Sequence, residues 1–207
     1  MLIKFCGFTK VEEIELFNNI KADYLGFVFA RSKRQIDKIQ AKILLQALDR
    51  SKVKVVGVFS DQSLDIVIDI AKDKQIALDV IQLHGKEDRA YIAALKKSFK
   101  GEIWKAIPSL EEYVKNYNTW EVDKMIIDSV ANGGSGQKAN WQLISQYRNN
   151  FKTPFILAGG LNKDNIIDGI RKVDPIGVDL SSGLEVAGKK DSHLMLEIIR
   201  KVRDYEK

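Results

Sequence analysis

Residues 155–183 read FILAGGLNKDNIIDGIRKVDPIGVDLSSG, and this stretch holds the pattern that decides the fold. Two apolar runs, FILAG (155–159) and IGVDLS (176–181), flank a segment with the spacing of an amphipathic helix. Largely continuous apolar runs of this length are typical of strands that are buried on both faces. A strand, a helix and a second strand in this order predict two parallel strands joined by a right-handed crossover.

The same alternation extends over the whole chain. Eight apolar runs occur, at residues 2–6, 24–29, 54–59, 78–83, 102–107, 124–128, 155–159 and 176–181. Amphipathic stripes separate them, as at residues 64–71 and 194–202, and residues 9–12, residues 109–112 and Asp191 are predicted to begin helices. Eight strand–helix units of about 26 residues predict an α/β protein with one domain over residues 1–207, a closed (β/α)8 TIM barrel of minimal size. The alternative is an open doubly wound sheet, but the turn after the first strand, CGFT (6–9), is not a dinucleotide fingerprint.

The composition excludes several classes of protein. The chain has 207 residues with 33 Lys+Arg and 28 Asp+Glu, and its net charge of +5 could attract nucleic acid or an anionic metabolite. The two signs of charge are interleaved, which favours an ordinary solvated surface. One cysteine allows no intrachain disulfide, two histidines exclude a zinc-finger-type site, and no apolar run suits a membrane span or a signal peptide. These features predict a cytoplasmic protein.

Polar and small residues follow the predicted strands at their carboxyl ends, where parallel barrels carry their reactive groups. Their shared position on one rim is more informative than any one of them alone. The candidates are Cys6 after the first strand, Arg34 in the loop after the second, His84 after the fourth, Asp128 at the end of the sixth, Gly159 and Gly160 after the seventh, and Asp179, Ser181, Ser182 and Gly183 at the eighth.

The loops after the seventh and eighth strands predict a phosphate site. Gly159 and Gly160 in one loop, and Gly183 in the other, allow backbone N–H groups to approach an anion closely. Ser181 and Ser182 add hydroxyl groups beside them. The alternative is that these glycines only make tight turns. A further glycine-rich loop, GGSG at residues 133–136, is either a flexible lid over the site or a plain loop.

Each of the other candidates has a chemical and a structural interpretation. Cys6 is a buried apolar residue, or a thiolate that acts as base or nucleophile if positive neighbours lower its pKa. Asp128 is a helix cap or acceptor, or a carboxylic acid that an apolar surrounding keeps protonated and ready to donate its proton. His84 could be a satisfied polar residue at a strand end. Arg34 could form a surface salt bridge or pair with the carboxylate of a ligand.

Three motifs are highly specific when they occur together: KFCGFT (4–9), QLHG (82–85) and DLSSGLE (179–185). Others lie between them at barrel spacing, namely GFVF (26–29) with Ser32 and Arg34, VGVF (56–59), IDS (127–129), GGSG (133–136), AGGLN (158–162) and GKKD (188–191). In this order they resemble the phosphoribosylanthranilate isomerase family of tryptophan biosynthesis, over essentially the whole chain. The chain departs from the family pattern at KANW (138–141), where an aromatic residue and an acid usually precede the tryptophan, and at SKR (32–34), where many members have proline.

The resemblance implies an isomerase that catalyses an Amadori rearrangement. Its substrate would be N-(5′-phosphoribosyl)anthranilate and its product 1-(2-carboxyphenylamino)-1-deoxyribulose 5-phosphate. By their positions in the motifs, Asp128 would protonate the ribose ring oxygen and Cys6 would remove the C2′ proton, so no covalent intermediate is expected. Arg34 would hold the anthranilate carboxylate, the loops after the seventh and eighth strands would hold the phosphate, and His84 and Asp179 would line the mouth. No metal or organic cofactor is implied.

These implied roles set a physical condition on the two catalytic groups. We expect Cys6 to be partly ionised near neutral pH, while Asp128 stays protonated in the productive complex. Two such opposite shifts at one rim require two different environments.

Other functions for the same barrel remain open at this point. An indole-glycerol-phosphate synthase or a histidine-pathway isomerase would share the phosphate loops, but the first depends on catalytic lysines in a longer chain and the second on two carboxylates. A ligand-binding barrel without activity and a basic RNA-binding protein are further alternatives. The aromatic residues lie mostly inside the predicted strands, so no stacking surface for RNA is evident. The sequence thus predicts a small-molecule partner, no nucleic acid, no membrane, and a monomer or homodimer.

Overall fold

The computed structural model describes residues 1–116, 118, 120–129 and 138–207. Within these residues, eight parallel strands form a closed barrel in which each strand pairs with the next and β8 pairs with β1. The strands are β1 (Leu2–Cys6), β2 (Tyr24–Val28), β3 (Lys54–Phe59), β4 (Val80–Leu83), β5 (Glu102–Pro108), β6 (Lys124–Asp128), β7 (Phe155–Leu157) and β8 (Gly177–Leu180). The predicted barrel is confirmed, and every strand overlaps one of the eight apolar runs. The glycine-rich loop predicted at residues 133–136 lies outside the described residues.

Helices follow the strands and pack against the outside of the barrel. They are α1 (Val11–Phe17), α2 (Lys38–Gln46), α3 (Leu64–Ala71), α4 (Arg89–Ser98), α5 (Glu111–Lys115), α6 (Trp141–Tyr147), α7 (Ile166–Val173) and α8 (Ser192–Tyr205). A short antiparallel hairpin, β9 (Glu185–Val186) and β10 (Lys189–Lys190), precedes α8. Among the described residues, no helix combines the length and the apolar character needed to cross a membrane.

The starts of three helices test the capping predictions. Asp191 accepts a hydrogen bond from the Leu194 N–H and is the N-cap of α8, as predicted. The helix predicted to start at residue 9 instead has Lys10 as its N-cap, because the Glu13 carboxylate accepts from the N–H groups ahead of the first turn. The capping prediction at residue 109 is wrong, since the Ser109 hydroxyl accepts from the backbone of α6 and leaves the start of α5 uncapped.

The core has two layers of side chains, one on each face of the barrel wall. Outward-facing strand residues such as Leu157 pack against the helices, and inward-facing residues such as Trp104 fill the barrel. Alternate residues of a strand point to opposite faces, so Lys4 lies on the same inner side of β1 as Cys6. Polar residues at these inner positions are therefore the ones that can reach the carboxyl-terminal opening of the barrel.

Candidate active site

A cavity of about 740 Å³ opens at the carboxyl-terminal end of the barrel. Nine of the ten predicted site residues line it, namely Cys6, Arg34, His84, Asp128, Gly159, Gly160, Asp179, Ser181 and Ser182. Gly183 is not among the described residues that line the cavity. It packs against the Leu161 carbonyl so closely that a Cβ atom would collide with it. Glycine at this position therefore lets the loops after β7 and β8 lie against each other at the rim.

Cys6 lies at the end of β1, and only 7% of the residue is exposed. Burial raises the pKa of its thiol above the ordinary value, although the charges of Lys4 and Lys190 oppose this increase. The nearby carboxylate of Asp179 adds to it. The shift in the pKa of Cys6 is thus upward. A thiol that is partly ionised near neutral pH, as expected from the sequence, would need a downward shift. The sequence placed Cys6 at a strand end, but it did not show how deeply the barrel would bury the sulfur.

Asp128 ends β6 and is held at both carboxylate oxygens. Its Oδ1 accepts from the backbone N–H of Ser129 at 2.6 Å and from the hydroxyl of Ser129 at 3.3 Å. Its Oδ2 lies 3.4 Å from Nε2 of His84. Nε2 of Gln82 lies 3.2 Å from Nδ1 on the other side of the His84 ring, within hydrogen-bonding distance. The structure therefore brings the predicted residues His84 and Asp128 into direct contact.

Arg34 forms a buried ion pair with a residue that the sequence did not single out. Its Nε and Nη2 donate to the two carboxylate oxygens of Glu185 at 2.6 and 3.0 Å. Lys190 donates to the same carboxylate at 3.0 Å. Burial alone would raise the pKa of Glu185, but hydrogen bonds and charges from Arg34 and Lys190 lower it to about 2. Arg34 makes no other side-chain hydrogen bond within the described residues, so its Nη1 remains available to a ligand in the cavity.

Asp179 lies on the inner face of β8 and pairs in register with Lys4 of β1. Its Oδ2 accepts from Nζ of Lys4 at 2.8 Å. Its Oδ1 is buried and has no hydrogen-bond partner among the described residues. Burial raises the pKa of Asp179, and the ammonium of Lys4 opposes this increase. One oxygen of this carboxylate is therefore satisfied by the barrel and the other is left for the cavity.

The loops after β7 and β8 have the backbone geometry expected where the main chain comes close to a bound anion. Gly159 and Gly160 adopt φ angles of +81° and +60°, which side chains with a Cβ rarely adopt. The side chain of Asn165 donates to the Gly160 carbonyl at 2.9 Å and fixes the first loop. In the second, the Ser181 hydroxyl donates to the Cys6 carbonyl at 3.0 Å, and a 3₁₀ turn (Ser182–Leu184) follows. The first N–H groups of such a turn have no partner within it, so they can receive an anion.

Several polar residues of the site were not predicted. Lys4, Gln82, Glu185 and Lys190 all stand in the family motifs, but only their strand or loop neighbours were assigned roles. Lys105 of β5 also lines the cavity, where it donates to Glu87 at 2.9 Å. Lys4 and Lys105 could have been recognised as site residues, because each is a charged residue inside an apolar run that is predicted to be buried on both faces. Within the described residues, no group of three His, Cys, Asp or Glu side chains could hold a metal ion.

Comparison with known proteins places the chain among one group of enzymes. Residues 3–201 match the model of a family described as N-(5′-phosphoribosyl)anthranilate (PRA) isomerase. The N-(5′-phosphoribosyl)anthranilate isomerase of Clostridium acetobutylicum is 38% identical over 208 aligned residues, which cover 99% of this chain and 98% of that protein. Monomers generated from the dimeric phosphoribosylanthranilate isomerase of Thermotoga maritima have a TM-score of 0.83 at 31% identity, with 99% of this chain and 100% of that one covered. A phosphoribosylanthranilate isomerase in complex with reduced 1-(o-carboxyphenylamino)-1-deoxyribulose 5-phosphate has a TM-score of 0.82 at 30% identity, with coverage of 99% and 100%.

Proposed function

The chain belongs to the N-(5′-phosphoribosyl)anthranilate isomerase family, and on this premise we propose that Asp128 is the acid and Cys6 the base of its reaction. The isomerase converts N-(5′-phosphoribosyl)anthranilate into 1-(2-carboxyphenylamino)-1-deoxyribulose 5-phosphate in tryptophan biosynthesis. The observation that carries the assignment is that a carboxyl group and the thiol face one cavity from separate strands, β6 and β1. A sugar bound between them meets a proton donor and a proton acceptor at the same time.

The first step opens the ribose ring. Asp128 donates a proton to the ring oxygen, the bond from C1′ to that oxygen breaks, and the nitrogen lone pair forms an iminium at C1′. Ser129 donates to Oδ1 of the carboxylate that remains, and Nε2 of His84 lies 3.4 Å from Oδ2. The Ser129 N–H and hydroxyl are positioned to stabilise the negative charge that develops on Asp128 as its proton leaves.

The second step removes the proton from C2′. The Cys6 thiolate forms an S–H bond as the C2′–H bond breaks, and the electron pair moves between C2′ and C1′ and neutralises the iminium. The resulting enolamine tautomerises to the ketone. No bond forms between sulfur and substrate, so Cys6 acts as a base rather than a nucleophile. Because burial raises the pKa of this thiol, its ionisation depends on the positive charges of Lys4 and Lys190.

Arg34 holds the anthranilate carboxylate. The bidentate pair with Glu185 fixes the plane of the guanidinium before a ligand arrives, which reduces the entropy lost when the ligand binds. The remaining N–H groups on Nη1 then bind the substrate carboxylate.

The 5′-phosphate binds between the loops after β7 and β8, at Gly159, Gly160, Ser181, Ser182 and Gly183. The positive φ angles of the first two glycines support this site, because a backbone without Cβ atoms can approach an anion closely. The same rim carries His84 and Asp179, which line the mouth around the sugar.

Residues 1–207 act as one barrel domain in the cytoplasm, as a monomer or homodimer, with no nucleic-acid or membrane partner. The isomerisation is redox-neutral and its two proton transfers use side chains of this chain, so it requires no metal or organic cofactor.

The experiment that tests this function follows anthranilate-type fluorescence after freshly prepared N-(5′-phosphoribosyl)anthranilate is mixed with purified protein. We expect a signal change faster than spontaneous breakdown of the substrate, and no acceleration by Cys6→Ala or Asp128→Ala. Asp65→Ala is the matched control, because Asp65 is exposed on α3 and should leave the rate unchanged. A folded wild-type protein without acceleration would overturn the reaction. Wild-type turnover by either site variant would overturn the role of that residue alone.

A further inference from the structure

The barrel interior contains an ion pair that the two proton transfers do not use. Lys4 is completely buried, and its Nζ lies 2.8 Å from Oδ2 of Asp179, which faces it from the neighbouring strand β8. Moving two charges out of water costs free energy that their attraction often fails to recover, and apolar residues of similar volume are frequently as stable. Stability of the fold is therefore a weak explanation for this pair.

The position of Lys4 beside the thiol is more informative. Lys4 stands two residues before Cys6, so both side chains point to the inner face of β1. On the adjacent strand β2, a Cβ added to Gly26 would lie 2.7 Å from Sγ of Cys6 and 3.2 Å from Cε of Lys4. The two side chains thus share the space that this glycine leaves open. The end of the lysine chain and the sulfur are therefore close neighbours at the bottom of the cavity.

Asp179 lies on the other side of the lysine ammonium. One of its oxygens accepts from Lys4, and the other is buried without a partner among the described residues. Burial tends to lower the pKa of Lys4, but attraction to Asp179 and Cys6 outweighs it, so the pKa of Lys4 is raised. The ammonium therefore stays protonated and has two candidate anions, the carboxylate of Asp179 and the sulfur of Cys6.

We infer that Lys4 is a positioning residue for the isomerisation, with its ammonium stabilising the Cys6 thiolate against the opposing negative charge of Asp179. The inference rests on the proposed role of Cys6 as base. When the thiol ionises, its proton leaves through the cavity and Lys4 keeps all of its protons. When the thiolate takes the C2′ proton, an S–H bond replaces a C–H bond, and Lys4 again remains an ammonium.

The other charged group that faces Cys6 cannot replace Lys4. Lys190 follows β8 and contributes a positive charge to the surroundings of the thiol. However, its Nζ donates to Glu185 and to the Ser181 carbonyl, both at 3.0 Å, and that carboxylate largely neutralises it. Asp179 acts in the opposite sense, because its negative charge disfavours the thiolate. The two members of one ion pair, Lys4 and Asp179, therefore have opposite effects on the thiolate.

This opposition provides a test that does not depend on turnover. Cys6 is the single cysteine of the chain, so the rate of alkylation by iodoacetamide reports its thiolate fraction alone. We expect Lys4→Met to move the midpoint of the alkylation pH profile upward by about one pH unit or more, since an opposite charge at this range shifts a pKa by that amount. Asp179→Asn should move the midpoint downward. Lys4→Arg should restore most of the wild-type profile, because it keeps the charge.

The rising limb of kcat/KM against pH should move with the alkylation midpoint in each active variant. Glu102→Gln, at the opposite end of the barrel, is the control and should leave the midpoint unchanged. Movement in the same direction for Lys4→Met and Asp179→Asn, or no movement for Lys4→Met, would overturn the inference. If Lys4→Met fails to fold, an upward movement in Asp179→Asn would overturn it equally. Wild-type turnover by Cys6→Ala would instead remove the base assignment, whatever the alkylation profiles show.

Discussion

The two ends of the barrel both hold charged side chains, but they differ in how completely those charges are paired. At the amino-terminal end, the carboxylate of Glu102 accepts from the indole N–H of Trp104 at 2.8 Å and from Lys54 at 3.3 Å. It also pairs with Lys124, whose ammonium lies 5.3 Å from the centre of the Trp104 ring. These partners are side chains of β3, β5 and β6, and together they pair both oxygens of the carboxylate.

At the carboxyl-terminal end, the hydrogen bonding is left incomplete. Oε1 of Gln82 and Oδ1 of Asp179 are buried without partners among the described residues, and both residues line the cavity. Unsatisfied buried polar atoms are uncommon and destabilising, so their presence in a cavity indicates a place where a ligand completes them. Charged side chains at the amino-terminal end of this barrel thus stabilise the fold, whereas those at the carboxyl-terminal end are available to bind the substrate and act on it.

The largest effect should come from Asp128→Asn, which keeps the shape of the side chain but cannot donate the same proton. We expect kcat to fall by roughly 10²–10⁴, the usual contribution of general acid catalysis, with little change in the urea midpoint of unfolding. Steady-state fluorescence kinetics and urea unfolding measure the two quantities. Turnover within about tenfold of wild type would contradict the acid role.

Glu185→Gln tests how far the carboxyl-terminal end is organised for binding. Removing this charge leaves Arg34 without its fixed bidentate partner, so KM should rise by about tenfold, the equivalent of one hydrogen bond to a charged group. The value of kcat should change less than KM, because Glu185 is not among the described residues that line the cavity. Glu12→Gln, on the exposed face of α1, is the control and should alter neither constant. A loss confined to kcat would show that Arg34 does more than hold the carboxylate.

Glu102→Gln is the corresponding change at the amino-terminal end. We expect it to lower the free energy of unfolding by about 1–2 kcal/mol, because it weakens hydrogen bonds with two lysines and an indole N–H. The values of kcat and KM per folded molecule should equal those of the wild type. Urea unfolding followed by tryptophan fluorescence measures the first quantity, and the isomerase assay measures the others. Reduced turnover without reduced stability would contradict the claim that charges at the amino-terminal end only stabilise the fold.

The smallest effect should be a change in acid stability. The pKa of Glu185 is about 2 in the folded protein against an ordinary value of 4.5, so its contribution to stability is complete above pH 4.5 and is lost as the pH falls toward 2. The urea midpoint of the wild type should therefore decrease across this window, and that of Glu185→Gln should decrease less. Identical pH profiles would mean that the pair with Arg34 and Lys190 adds nothing to stability.

The barrel and the position of its site could be predicted from the sequence for a simple reason. Buried parallel strands produce continuous apolar runs, and the carboxyl ends of parallel strands meet at the same rim. Cys6 and Asp128 therefore had to face a common opening once eight such runs were recognised. The short strand β7 and the late start of β4 differ from their runs by two residues, because an apolar run does not mark where barrel hydrogen bonding begins or ends.

The partners of the charged residues could not be predicted in the same way. Lys4 and Asp179 are 175 residues apart, and Arg34 and Glu185 are 151 residues apart. Their contacts depend on the register with which β8 closes onto β1 and on the path of the hairpin that follows β8. Neither is encoded in local spacing. For the same reason the sequence indicated that Cys6 is at a strand end, but not that burial raises the pKa of its thiol.

The most direct test of the account is the turnover of Cys6→Ser, measured beside Glu102→Gln at equal concentrations of folded protein. Serine preserves the size of the side chain, but its hydroxyl holds its proton far too tightly to serve as the base. The account predicts that Cys6→Ser loses at least about a hundredfold in kcat while its unfolding midpoint stays near that of the wild type, and that Glu102→Gln shows the reverse pattern. A Cys6→Ser enzyme that turns over within about tenfold of wild type would contradict the claim that this thiol removes the C2′ proton.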